Sequence, residues 1–583
     1  MMPTNDELQN ARAAALNAIL ESNARLKLVV AGPGTGKTFT FQKLVAQTAG
    51  RCLVITFLQV LVKDLEAKFG ASADVYSFHS FSRKLLHQGG APGVTPSVAY
   101  YTPLLLLYSE DIRIIDGALL KPLQIGGLFR SLADDEQLLH LALSRGGFYN
   151  AVSHDDAVYR VLRAMERNSS FVPAYAQIVV DEFQDFCPLE VAFIKQLFAV
   201  SPTLIVGDDD QALYAFRDAS PDAIRELAED ETYTRFPLPY CTRCTEVLVK
   251  AAGTVVERAL AAGLLQGRLD KPFECYMPDK EAESQQYPKI RHFNCSTETA
   301  RCPYVGRIIS EAIRRIPAAE IAESREQGFP TVLIIGPNPF LSQVEDHLRG
   351  QFPCVHTRPK QEDLVEPLYA YRLLGRDPES NLGWRILMQV FQPDGWEDAV
   401  RSTHESGVGL KDALDSNFTN RHLELADILR RMIVNEDVNA VEEASLAVAL
   451  AIAVTDLEAV LHPSEEPEEP EEDSSEPTIW LTSLMGSKGL QAGHVFIVGV
   501  NAAHFPRNNA HPSNEEVCQL LVALTRARKS CTLVSTRHFA GVELGRSIFL
   551  DWLRPHLATT RYVDRAFFDA LAAASASDSD CGA

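Results

Sequence analysis

The sequence predicts an α/β protein with two parallel sheets, each interrupted by a helical insertion. Three observations predict it. Short β-branched runs recur, each followed by turn or polar residues: LKLVV (26–30), CLVITF (52–57), QIVV (177–180), TLIV (203–206), TVLII (331–335), HVFIV (494–498) and CTLVS (531–535). Helical patterns such as FQKLVAQTA and EVAFIKQLFAV lie between them, and strands alternating with helices make parallel sheets buried on both faces. The runs fall into two groups, before about 235 and after about 290, which is the pattern of two sheets.

The first strand runs into LVVAGPGTGKT. A Gly-rich loop directly after a strand and before a helix is a phosphate cradle. Ala31 stands where the usual pattern has its first Gly, and Gly32, Pro33, Gly34, Thr35 and Gly36 follow. Their backbone amides would hold phosphates, Lys37 would reach the β and γ oxygens, and Thr38 would hold Mg²⁺.

Residues 83–170 break the strand rhythm with Leu- and Ala-rich helical patterns such as LADDEQLLHLALSR. IVVDEFQD then supplies the second half of a hydrolytic site. Asp181, at a buried strand end, would hold Mg²⁺ through water, and Glu182 would orient or deprotonate the attacking water. Two adjacent carboxylates after three apolar residues are otherwise costly to place. P-loop and acidic pair together predict hydrolysis of a nucleoside triphosphate, with ATP and Mg²⁺ as cofactors.

The next strand leads into VGDDDQALYAFRD, residues 206–218. Gln211 is placed to touch the γ-phosphate, while Tyr214 and Phe216 point elsewhere. Exposed rings suit base stacking, worth about 1–3 kcal/mol per base and nearly blind to sequence. The plain alternative is two rings buried in a core.

Residues 391–477 are again helix-like and end in SEEPEEPEEDSSEP (464–477). That run holds eight acids, is Pro-rich and reads as a disordered linker; a partner-binding or DNA-mimicking segment is the other reading. The expected division is 1–82 with 171–235, an insertion at 83–170, 236–390 with 478–560, an insertion at 391–477, and a tail at 561–583 whose end, AAASASDSDCGA, is expected to be disordered.

Composition narrows the class. At 583 residues, 46% apolar and 23% charged, the chain is an ordinary multidomain globular protein. No apolar run approaches the roughly 18 residues of a membrane span. The start, MMPTNDELQN, lacks the basic and apolar regions of a signal peptide. No membrane partner and a cytoplasmic location are expected. A net charge of −22 excludes a histone-like positive coat, although a local basic track remains compatible with it. Eleven scattered cysteines read as reduced thiols; Cys241 and Cys244 are the tightest pair, and no second CxxC completes a metal site.

Taken in order, these stretches resemble the UvrD/Rep-like branch of superfamily 1 DNA helicases. AGPGTGKT resembles the first motif and LVITFLQVLVKDL the one after it. VYSFHSF resembles a DNA-contact motif, DEFQD the Walker B motif and VGDDDQALYAFRDA the third. CTRC, SKGLQAGHVFIVG and VALTRA resemble the fourth, fifth and sixth. The resemblance covers nearly the whole chain. It implies two RecA-like P-loop domains with helical accessory insertions, ATP in the cleft between them and single-stranded DNA across the top. Gln211 would sense the γ-phosphate, and Arg243 and Arg526 would reach it as arginine fingers. Phe57, His79, Tyr214, Phe216 and Arg217 match DNA-contact positions, with Phe216 replacing the usual Trp. Gln491 occupies the position of a Glu that contacts the ribose.

The departures cluster on the base and sugar side. Leu16 stands where relatives read adenine with a Gln, Gln9 lies nearby but out of register, and Thr242 replaces a Tyr that stacks on adenine. Relaxed nucleotide choice follows, with GTP or dATP competing with ATP. In the fifth motif Met485 and Ser483 replace a His and a Thr, and Ala492 replaces an aromatic, so DNA contacts there are weakened. A short second insertion predicts weak autoinhibition or reliance on a partner.

The expected function is a 3′→5′ translocase and helicase on single-stranded or partly duplex DNA, in repair, recombination or defence. The competing expectation is a DNA-gated ATPase subunit that senses DNA ends for a partner nuclease, with little unwinding of its own. RNA unwinding is the third.

Overall fold

The computed structural model describes residues 4–57, 60–132, 136–357, 365–461 and 476–580. The predicted apolar runs form strands. In the first sheet these are β1 (Leu26–Val30), β2 (Cys52–Thr56), β4 (Gln177–Val180) and β5 (Thr203–Gly207), and the sheet also holds β3 (Ala73–Ser77) and β6 (Thr234–Phe236), which the runs did not include. They pair in parallel in the order β3-β2-β4-β5-β1-β6. A parallel sheet needs crossovers that cover its faces, and its inner strands are accordingly apolar on both sides. Leu53, Val54 and Ile55 are all fully buried.

The second sheet comprises β7 (Arg291–Cys295), β8 (Val332–Ile335), β9 (Val355–Thr357), β10 (Ile479–Thr482), β11 (Ala492–Val498), β12 (Ala527–Thr536) and β13 (Arg561–Val563). Its order is β9-β10-β8-β11-β12-β7-β13, again all parallel. The helix Arg565–Asp580 corrects the expectation of disorder for residues 572–580, and β13 continues the sheet past residue 560. Three residues are too short for a periodic signal, and β13 exists because β7 offers it an edge. Residues 581–583, and the acidic run as far as 475, lie outside the described residues.

The helical insertions depart furthest from expectation. The first contributes the helices Leu104–Ile115, Pro122–Arg130, Gln137–Tyr149 and His154–Arg167. The second begins at Pro367–Leu374 and Asn381–Phe391, both assigned from sequence to the second sheet's domain, and continues through Trp396–Ser406, Ser416–Ile433 and Ala440–Leu450. The two insertions share one core, with Leu104, Leu107, Ile112, Trp384, Ile386 and Leu429 in a single apolar cluster. Tyr101 stacks on Tyr369 with ring centres 4.9 Å apart. Buried Asp111 accepts from both Arg145 and Arg385, each at 2.8 Å. Each amphipathic insertion therefore finds its apolar partner in the other, and the second is more ordered than its composition suggests.

Candidate nucleotide cleft and nucleic-acid surface

Between the two sheets lies a cavity of 390 Å³, lined by Gly34, Gly36, Lys37, Thr38, Asp181, Glu182 and Gln211 from one side and Thr242, Arg243, Gln491, Arg526 and Arg528 from the other. That volume suits a small-molecule ligand. The loop after β1 turns through Gly34 (φ +70°) and Gly36 (φ +90°). A Cβ on Gly34 would fall 2.4 Å from Arg243 Cβ, so the close approach of the two halves requires glycine there. Thr35 Oγ1 braces the loop by donating to the Gly32 carbonyl at 2.8 Å, and the Ala31 carbonyl accepts from Lys37 Nζ at 3.1 Å. Pro33 lines the mouth. The helix Lys37–Gln47 starts without a side-chain cap, leaving its first N–H groups free for an anion.

Strand β4 delivers Asp181 and Glu182. Glu182 has φ +55°, a left-handed conformation uncommon for a branched-chain-sized residue, which turns its carboxylate into the cleft. Burial and the neighbouring Glu182 charge push Asp181 up to about 7, against the pull of Lys37. Burial raises Glu182 too, but Lys488, Lys37 and the Gln184 amide outweigh it and hold Glu182 below its ordinary value. A hydroxyl and two crowded carboxylates, one of them under-neutralised, form a hard oxygen donor set that fits Mg²⁺.

Strand β5 ends in the acidic loop, and the structure accounts for its three acids. Lys271 Nζ lies 2.9 Å from Asp208, 2.5 Å from Asp209 and 2.9 Å from Asp210. Arg225 and Arg268 complete the shell. Among the described residues this is the one set of three or more His, Cys, Asp or Glu side chains whose ligand atoms lie close together, and an ammonium already fills it. The neighbouring Phe273 packs against Gly32, where a Cβ would meet it at 2.5 Å. Segment 268–273 thus clasps both phosphate-side loops.

Gln211 Nε2 donates to Asp208 at 2.6 Å, and Gln211 Oε1 accepts from Arg526 Nη2 at 3.0 Å. Burial and nearby Arg243 lower the Arg526 pKa, the condition of a guanidinium short of anions. Arg243 donates to the Thr525 carbonyl at 3.4 Å. Gln491 accepts from Arg528 at 3.3 Å. Cys241 and Cys244 are buried free thiols beneath this turn.

Past Gln211 the loop reaches a ring cluster. Phe57 and Tyr214 have centres 4.8 Å apart, and Tyr214 and Phe216 6.1 Å. Arg217 sits 5.7 Å over Phe57. Phe216 is 48% exposed, so it is a surface ring and not core. His79 lies one layer lower, its side chain 20% exposed and 3.6 Å from Glu190. Burial, then Arg217 and His154, keep that imidazole well below its ordinary pKa.

Sequence reasoning missed Lys488, although it lies in the SKGL stretch. Its ammonium contacts the Gln211 carbonyl and Asp185, each at 2.5 Å, lies 3.9 Å from Glu182, and covers the Tyr214 ring at 5.7 Å. It also missed Phe39 and Arg528, which line the cleft beyond the phosphates. Phe39 carried a signal: an aromatic immediately after Thr38, at the start of a helix.

Residues 130–232 match the family model described as the UvrD/REP helicase N-terminal domain. A protein of Mycoplasma genitalium named a probable DNA helicase II homolog is 21% identical over 93% of this chain and 88% of its own length. The chain is similar to UvrD-like DNA helicases along most of its length. DNA helicase II of Salmonella typhimurium is 23% identical, over 64% of this chain and 57% of its own. The ATP-dependent DNA helicase UvrD1 of Mycobacterium bovis is 24% identical, over 40% and 37%. No helix among the described residues is long and apolar enough to cross a membrane.

Proposed function

We propose that the chain is an ATP-hydrolysing motor that moves 3′→5′ along single-stranded DNA and unwinds duplex, in repair, recombination or defence. One observation carries the reading. The loop 207–218 bonds through Gln211 to Arg526 of the other sheet and, a few residues on, presents Phe216 to solvent. A single short segment therefore links the hydrolytic cleft to a stacking surface. The names of the relatives, DNA helicase II and ATP-dependent DNA helicase, support the same reading.

In this mechanism the backbone N–H groups of residues 34–38 bind the phosphates and Lys37 leaves Ala31 to reach them. Thr38 and Asp181 would hold Mg²⁺, which when bound supplies charge neutralisation at the phosphate oxygens. Glu182 orients the attacking water and accepts its proton. Gln211, Arg243 and Arg526 stabilise charge on the transferred group, and filling the cleft draws the sheets together. Phe57, Tyr214, Phe216 and Arg217 then shift along the strand, with His79 supporting them from below.

The test is steady-state triphosphate hydrolysis with and without single-stranded DNA. Wild type is expected to be strongly stimulated, Glu182→Gln to be inactive, and Phe216→Ala to lose the stimulation. Turnover indifferent to DNA in the wild type would sink the motor reading of the chain. Strand displacement from 3′-tailed and 5′-tailed duplexes then decides unwinding and its polarity.

A further inference from the structure

Arg130 ends the helix Pro122–Arg130 in the first insertion and is 3% exposed. Its guanidinium bridges two carboxylates from different parts of the chain. One is Asp155, in the first turn of the helix His154–Arg167, at 2.7 Å; the other is Asp218, in the ring-bearing loop, at 2.8 Å. A third bond goes to the Leu123 carbonyl at 3.1 Å. The helix is shaped for this placement: a Cβ on Gly126 would lie 2.5 Å from Arg130 Nη1 and 2.9 Å from Asp155 Oδ2. Glycine in mid-helix weakens a helix, and here it makes room for the ion pair.

Asp218 closes the turn that displays Phe216. It has φ +61°, its N–H donates to the Ala215 carbonyl at 3.0 Å, and the flanking Arg217 and Ala219 N–H groups both return to the Tyr214 carbonyl. Arg217 in turn reaches Asp155 and Glu190, each at 3.6 Å. Asp155 is therefore shared by Arg130 and Arg217. Within the turn itself Phe216 has one ring neighbour, Tyr214, and is half exposed, so its own packing does not fix its orientation.

We propose that Arg130 is a positioning residue that locks the 214–218 turn to the first helical insertion and so sets the angle at which Phe216 meets a base. This rests on the reading of Phe216 as a DNA contact. Arg130 touches neither nucleotide nor DNA; it acts through Asp218. A planar guanidinium with several donors can serve two carboxylates at once, which a lysine ammonium does less well.

The test uses the full chain as wild type, Asp218→Asn, Arg130→Gln, the double variant and Arg130→Lys. Measured are hydrolysis without DNA, the oligo(dT) concentration giving half-maximal stimulation, and the melting temperature. Asp218 is half exposed, so Asp218→Asn keeps the fold even where the buried Arg130→Gln does not. Expected is a half-stimulating DNA concentration raised about tenfold in Asp218→Asn, on the scale of one weakened stack, with DNA-free turnover unchanged. The double variant is expected to be no worse than the worse single, and Arg130→Lys to recover only part of the loss. Wild-type DNA response in Asp218→Asn, beside a wild type that DNA does stimulate, overturns the proposal alone. A wild type that ignores DNA overturns the ring reading and this proposal together.

Discussion

Arg526 Nη2 donates to Gln211 Oε1 at 3.0 Å, joining the start of β12 in the second sheet to the loop after β5 in the first. Both side chains are buried, and the residues lie 315 positions apart. The guanidinium lines the same cavity as Lys37 and Glu182 and is aligned by the Val522 and Leu490 carbonyls. Arg526→Ala is expected to lower kcat by about 10³-fold or more while leaving nucleotide binding largely intact, as for arginine fingers elsewhere. Hydrolysis rates beside fluorescent-nucleotide affinity check it.

Lys271 neutralises three buried carboxylates, and removing it strands them. Burial raises Asp208, but Lys271 and Lys37 outweigh it and hold this carboxyl at about 2. Lys271→Ala is expected to cost about 3–5 kcal/mol, the range for breaking a buried ion pair, read as a large fall in melting temperature at pH 7. The sign follows from the depressed pKa. The stabilisation is present above the unfolded value near 3.9 and is lost as pH falls toward 2, so the variant and wild type should converge in acid.

Besides the residues of the Gly-rich loop and the acidic pair, the cleft is lined by Phe39, Leu65, Lys68, Thr242, Gln491 and Arg528, and Leu16 is not among its walls. A ring, an aliphatic and long cations hold any base by stacking and contact but read little of its edge. GTP and dATP are expected within a hundredfold of ATP in kcat/KM, and Phe39→Ala is expected to raise KM for all three about equally. A strict ATP preference would refute this.

Glu298 is buried, one carboxylate oxygen accepts from the Val305 N–H at 2.6 Å, and the other has no partner. Burial pushes it up to about 7. Its contribution to stability is full below the unfolded value near 4.3 and is eroded as pH rises to 7, because the unfolded chain ionises first. Glu298→Gln is expected to match wild type near pH 3.5, below the unfolded value, and to exceed it by about 1–3 kcal/mol at pH 8. Urea melts at the two pH values test this.

The sequence by itself determined seven strands of the two sheets (β1, β2, β4, β5, β8, β11 and β12), the Gly-rich loop after β1, the acidic pair after β4 and the loop from Gly207 to Asp218. Each is written in contiguous residues, whose periodicity or local chemistry reports the structure directly. Only the tertiary structure decided what those pieces meet. Lys271 inside the three aspartates, Lys488 beneath Gln211, Arg130 on Asp218 and the shared core of the two insertions are contacts between distant segments. A lysine or a leucine-rich helix carries no mark of its eventual partner, because ion pairing and apolar burial depend on proximity in space and are indifferent to the length of chain between. Strand β13 was hidden for a related reason: three residues have no period, and a strand that short exists only where a neighbouring edge supplies its hydrogen bonds.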